Sequence, residues 1–181
     1  MHYAELSKAR EELTGPGGDF EIVEEDILGN RIRTYKNAPP SVREVWLATA
    51  EFADRDYLVY EDERLTYGET HQRVASLASW MLDQGVKPGD RVAISMRNYP
   101  EWMQIYWACA CVGITVVGMN AWWTAEEMSY ALSDSEPKIL FLDVERLARI
   151  GEKPDMAEGL KLVGVRIDNL PDGITAWQDV I

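Results

Sequence analysis

An amide and two indoles lie side by side in the run Met119-Asn120-Ala121-Trp122-Trp123, between a β-branched segment and a capped helix start. Flat aromatic faces beside an amide can wall a pocket for an acyl, aryl or adenine group, and the positive end of the following helix favours a nearby anion. The alternative is that the paired indoles fill a contact between domains; spacing alone leaves both readings open. Elsewhere the chemistry is sparse. Cys109 and Cys111 are the only cysteines. Two positions apart on a helix they point about 200° from each other, so they read as small buried residues and not as a disulfide or zinc pair. His71 lies in a helical pattern with no Cys or second His at ligand spacing, and it reads as a structural imidazole. His2 is equally unconvincing as a ligand. No glycine-rich phosphate cradle is complete: Gly15-Pro16-Gly17-Gly18 is followed by Asp19 and Glu21, which repel phosphate. Nor does the sequence contain G-x-S-x-G, H-E-x-x-H or G-x-G-x-x-G.

The elements that must position the indoles can be read from periodicity. Residues 1–18 form a polar, helical or frayed lead-in. Phe20–Val23 and Arg31–Tyr35 suit short extended segments, and Asn37-Ala38-Pro39-Pro40 is a stiff connector. Ser41 with Glu44 forms a capping box, followed by an apolar stripe at Val42, Val45, Trp46 and Thr49. Tyr57–Tyr60 and Arg64–Tyr67 flank the turn Glu61-Asp62-Glu63 as a hairpin. Thr66 and Glu69 then box the start of a helix that buries Val74, Leu77, Ala78 and Met81 and stops at Gly85.

From Trp102 to Ala125 the chain carries no charge for twenty-four residues, in a protein of net charge -13. A membrane helix needs about 20 apolar residues without a break, and this run is broken. Asn98-Tyr99-Pro100-Glu101 predicts a helix start with Asn98 as cap and Glu101 reaching back to it. Gly113 ends that helix, and Ile114–Gly118 favours a buried strand. Strands at Arg91–Met96 and Lys138–Leu142, with helices capped by Thr124/Glu127 and by Asp143, complete a strand-helix alternation over residues 91–142. That order predicts an α/β fold with a largely parallel sheet flanked by helices, with ligand loops after Met96, Gly118 and Leu142. Leu160–Ile167 suits one more strand and Thr175–Ile181 a terminal helix. A sequence pI near 4.6 argues against a nucleic-acid partner. The start of the chain lacks a basic region followed by an apolar one, so a cytoplasmic protein without a transmembrane segment is expected. Peripheral membrane contact and oligomeric state stay open.

Four pieces in order, Leu65-Thr66-Tyr67-Gly68-Glu69, Gly85 to Ile94, Asn98-Tyr99-Pro100-Glu101 and Gly113 to Asn120, resemble the start of adenylate-forming (AMP-binding) enzymes, more narrowly fatty acyl-CoA synthetases. The resemblance covers roughly residues 35 to 145. It implies residues 1–40 as an extension and connector, and 41–181 as part of the AMP-binding domain. It also implies a reaction in which a carboxylate attacks the α-phosphate of ATP to give an acyl-adenylate and pyrophosphate, after which the CoA thiol displaces AMP, with Mg²⁺ offsetting phosphate charge. The family's phosphate loop, its ribose-binding Asp and the lysine of its C-terminal domain have no counterpart in these 181 residues. The chain alone is therefore expected to be inactive, with no catalytic residue of its own, and to bind ATP, CoA or Mg²⁺ only weakly. Aryl-CoA ligases and peptide-synthetase adenylation domains share the pattern, and a non-catalytic acyl- or CoA-binding module is a further alternative.

What carries over onto this sequence is modest. A loop that touches CoA in acetyl-CoA synthetase-like members falls on Ala121 to Glu126, although Trp122 stands where a small residue is usual. Arg146 and Arg149 match arginines near the CoA nucleotide phosphate, and their i, i+3 spacing puts them on one face. A solvated basic face paired with Glu145 or Glu152 is the competing reading. Asn120, Trp122 and Trp123 are the candidate substrate contacts, with no metal ligand among them.

Overall fold

A computed structural model describes residues 3–181; His2 lies outside them. Contacts divide the chain into two units, one ending at Glu44 and one running from Val45 to Ile181. The first contains helix α1 (Tyr3–Thr14) and a hairpin of β1 (Ile22–Ile27) and β2 (Asn30–Tyr35). The hairpin turns through Leu28 and Gly29, both with positive φ, as the right-handed twist of a two-residue hairpin demands. The acidic run Glu24-Glu25-Asp26 lies inside β1, where Glu24 meets Arg31 at 2.8 Å and sits opposite Arg33. Charge pairing across the ladder, with no apolar alternation, makes this a longer pair of strands than the sequence suggested.

Helix α2 (Val42–Ala48) starts at Ser41, whose Oγ accepts the Glu44 N–H at 3.2 Å. The expected apolar stripe is not buried, however: Val42 and Val45 are 49% and 45% exposed, and only Trp46 sinks into the core. Trp46 is held by aromatic faces, stacking on His71 at 4.1 Å and on Trp107 at 4.9 Å. This contact, with a 3.0 Å bond to Thr49 Oγ1, is where the His71 ring goes.

Strands β3 (Asp56–Tyr60) and β4 (Glu63–Thr66) form the expected hairpin, and the Thr66–Glu69 capping box opens α3 (Tyr67–Asp83). Beyond it runs a five-stranded, all-parallel sheet. Its strands are β5 (Arg91–Ser95), β6 (Thr115–Gly118), β7 (Ile139–Leu142), β8 (Lys161–Gly164) and β9 (Thr175–Ala176), in the order β6-β5-β7-β8-β9. The connecting helices are α4 (Pro100–Cys111), α5 (Ala125–Ser135) and α6 (Val144–Glu152). Alternate side chains feed two cores. Val92, Ile94, Ile139 and Phe141 pack with α3 and α4, while Ala93, Leu140 and Leu142 pack with Met128 and Leu132 of α5 and Ile150 of α6. The largely parallel α/β fold read from the sequence is therefore the one observed.

Three local expectations change. Asn98 does not cap α4: the N-cap is Tyr99, without a side-chain bond, and Glu101 turns away to Arg166. The β6 strand, expected to be buried, is the edge of the sheet, with Thr115 and Gly118 exposed. Thr175 and Ala176 do not start a helix; they add a short parallel strand to β8 before a 3₁₀ turn at Trp177–Asp179. Gly113 ends α4 as expected, at φ +73. Among the described residues no helix is long and apolar enough to cross a membrane.

Candidate functional site

The three loops that follow β5, β6 and β7 converge at the carboxyl end of the sheet. The chain leaves β5 through α4 on one face and leaves β7 through α6 on the other, so β5 and β7 diverge where an open α/β sheet forms its ligand crevice. An open cleft of about 610 Å³ lies beside this point, lined by Arg97 and Asn98 after β5, Asn120 to Trp123 after β6, and Trp102 of α4. Met96 and Met119, nearly fully buried, form its floor. Trp122 is 69% exposed and Trp123 half-buried against the core under α5.

Arg97, a residue the sequence reading passed over, covers the Trp122 ring with its guanidinium 4.6 Å from the centroid. Its backbone N–H donates to Asp143 Oδ2 at 3.0 Å, and its side chain lies 3.6 Å from Glu145. Asp143 was legible only as a helix cap, and it is one: its Oδ1 accepts the Arg146 N–H at 3.2 Å. It is also 98% buried and accepts the Arg146 Nη1 through both oxygens at 3.1 and 2.9 Å. A buried carboxylate survives because several donors replace water.

Asn120, Ala121, Trp122, Trp123, Arg146 and Arg149 are brought together, in roles that spacing could not specify. Asn120 Oδ1 accepts the Trp122 N–H at 2.9 Å, closing an Asx turn, so this oxygen is occupied within the loop. Arg146 is fully buried, which removes the reading of a solvated basic face for this residue. It donates Nε to the Ala121 carbonyl at 2.8 Å, Nη2 to the same oxygen, and Nη1 to Glu145 at 2.9 Å as well as to Asp143. Arg149, half-buried, donates Nη1 to Ala121 O at 2.8 Å. A phosphate could reach Arg146 only by displacing these partners, whereas Arg149 is open to further donation. The N-terminus of α5 is likewise engaged, by Thr124 and Glu127. Among the described residues no group of three or more His, Cys, Asp or Glu can hold a metal.

A second cluster flanks the cleft across α4. Arg166, after β8, has φ +56 and forms a fork with Glu63 at the start of β4 at 2.7 and 2.8 Å. Its Nε bonds Glu101 at 3.0 and 3.1 Å, and the rings of Tyr60 and Tyr99 lie 5.0 Å from its guanidinium carbon. These bonds hold the Glu63 carboxyl below the usual carboxylate range. Burial, then the nearby Asp143, pushes the Tyr99 phenol up. Three segments far apart in sequence, 60–63, 99–101 and Arg166, meet here, so no local motif could announce the cluster.

Over 126 residues the chain is 33% identical to an L-proline–[L-prolyl-carrier protein] ligase of Streptomyces coelicolor, covering 70% of this chain and 23% of that protein. Over 76 residues it is 40% identical to a feruloyl-CoA synthase of an Amycolatopsis species, covering 42% of this chain and 16% of that one. A Rhodopseudomonas palustris protein described as a long-chain-fatty-acid CoA ligase superposes with a TM-score of 0.70 at 25% identity, over 77% of this chain and 36% of that one. The chain thus spans well under half the length of these relatives. The sequence profile of the family described as AMP-binding enzyme matches residues 45–176, which hold the whole convergence of loops, and the chain belongs to that family.

Proposed function

We propose that this chain is the N-terminal part of an ATP-dependent fatty acyl-CoA ligase, joining a fatty acid to CoA by way of an acyl-adenylate, with release of AMP and pyrophosphate. The observation that carries the reading is the aromatic-walled cleft of Trp102, Trp122 and Trp123 above a floor of Met96 and Met119, in a chain of the AMP-binding family. Such a wall suits an apolar chain entering a largely pre-formed groove. Asn120, Trp122 and Trp123 are assigned to the acyl side; Ala121, Trp122 and Arg149 to the CoA side. Arg146 acts from behind the loop. Residues 1–40 are an extension and connector, and 41–181 a partial AMP-binding domain. Lipid metabolism in the cytoplasm is the corresponding setting, without a nucleic-acid partner.

The described residues do not compose a phosphate cradle or a Mg²⁺ donor set, so the adenylating step itself is assigned to groups outside them. These 181 residues supply the wall and the loop geometry. The test is direct: the full protein, given ATP, Mg²⁺, CoA and fatty acids of graded length, releases AMP in a chain-length-dependent manner, and the 181-residue chain releases none. Trp122→Ala in the full protein raises KM for the acid more than it lowers kcat. Turnover by the short chain would show that the active site has been misplaced.

One other reading has specific support among the relatives, and a second makes a separate prediction. The feruloyl and L-prolyl relatives favour an aryl or amino-acid substrate, and preference for such acids in the same profile would replace the fatty acid. A non-catalytic binding module predicts saturable binding of an acyl chain or CoA to these 181 residues, which calorimetry would detect.

A further inference from the structure

We propose that Arg146 and Arg149 are positioning residues, a latch that fixes the loop bearing Trp122. Three guanidinium donors from two arginines end on one backbone oxygen, Ala121 O. A carbonyl has two lone pairs and ordinarily serves one or two neutral donors. Here two cations share it, and one of them is wholly buried. Burying a guanidinium is costly unless its donors are matched. Asp143 and Glu145 supply the opposite charge, and the loop carbonyl supplies the remaining acceptor. The loop is therefore part of what makes the buried charge tolerable, and it is held in return.

The contacts close on themselves. Asp143 accepts from the Arg97 backbone and from the Arg146 side chain; Arg146 holds Ala121; the next residue is Trp122; and its ring lies under the Arg97 guanidinium. The Asx turn from Asn120 pins the Trp122 N–H inside this ring of contacts. An indole that is 69% exposed gains little orientation from packing. It is oriented instead by a backbone locked from below and a cation from above. Such an aromatic face is pre-organised for a planar or apolar ligand group, since its ordering does not have to be met on binding. Only the identity of that group rests on the function proposed above.

The experiment needs no ligand, so its outcome is separable from that of the ligase assay. The chain is labelled with 5-fluorotryptophan, and its seven indoles are resolved by fluorine NMR, with Trp122→Phe assigning the resonance of interest. Arg149→Met leaves the Arg146–Asp143 pair intact, and Arg146→Lys retains the buried charge while losing the fork. Both are expected to move the Trp122 resonance toward that of a freely solvated fluorotryptophan, leaving Trp46, Trp80, Trp107 and Trp177 in place. Arg97→Met, cutting the ring of contacts at its other end, should move the same resonance in the same direction. An unmoved Trp122 in Arg149→Met and Arg146→Lys overturns the latch. So does a shift of all seven resonances together, which would mark a general packing role.

Discussion

Arg166→Met is the perturbation whose cost the structure defines most closely. The side chain is 28% exposed and serves two carboxylates of unlike surroundings: Glu63, half exposed, and Glu101, only 10% exposed. Losing the partner of an exposed acid is worth about 0.5 kcal/mol, because Glu63 returns to water. Breaking a buried pair from one side costs about 3–5 kcal/mol. The exposure of Arg166 discounts that figure, so about 2–3 kcal/mol is expected from the Glu101 arm. The sum is a loss of about 3 kcal/mol in the unit Val45–Ile181, read as a lower urea midpoint with unchanged slope. Methionine keeps a Cβ at the positive φ, so backbone strain does not enter the comparison. Glu63→Gln should lose under about 1 kcal/mol, and Arg166→Met combined with Glu101→Leu should recover most of the single loss, since an apolar pair replaces a buried ion pair. The pH dependence follows from the depressed Glu63 carboxyl. Its contribution is complete above the ordinary value of 4.5 and is lost as pH falls through the lower folded value, so the gap between wild type and Arg166→Met narrows below pH 4.5. Equal losses in Glu63→Gln and Arg166→Met, or no recovery in the double variant, would refute the assignment of the energy to Glu101.

Two further outcomes follow from the core. Gln104 is 1% exposed, and among the described residues neither its Oε1 nor its Nε2 has a hydrogen-bond partner, so Gln104→Met should raise stability by about 1–2 kcal/mol in thermal melts. A destabilised variant would show that the amide is engaged in the native protein. Burial pushes the Cys109 thiol up to about 12, so a disulfide reagent at neutral pH should modify Cys111 first. Cys111→Ser should remove the fast phase, and rapid labelling that persists in that variant would contradict the burial of Cys109.

Helix starts were legible because capping is local. Thr66 with Glu69, Thr124 with Glu127, and Asp143 with the Arg146 N–H each bond within four residues, and each stands as the sequence implied. Strand identity was legible wherever a strand is interior, as at Ile139–Leu142, where both faces are apolar. Legibility failed where a side chain had a choice of partners. Glu101 sits three residues from Asn98 as a capping box requires, yet it pairs with Arg166, sixty-five positions away and stronger as a partner than a backbone amide. Val42 and Val45 have helical spacing, but burial depends on what packs against them, and they stay 49% and 45% exposed.

The sequence by itself determined the order of elements over residues 91–142, the parallel sheet, the break in the uncharged stretch and the loop that carries Asn120 to Trp123. These follow from period, capping and turn chemistry, which act over a few residues. Tertiary structure alone decided that β6 is an edge, that Arg97 covers Trp122, and that Arg146 is buried behind the loop with its guanidinium on Ala121 O. The physical reason is the same in each case. A charged side chain takes its role from the groups that replace its water, and these come from strands and loops that only the folded sheet brings together.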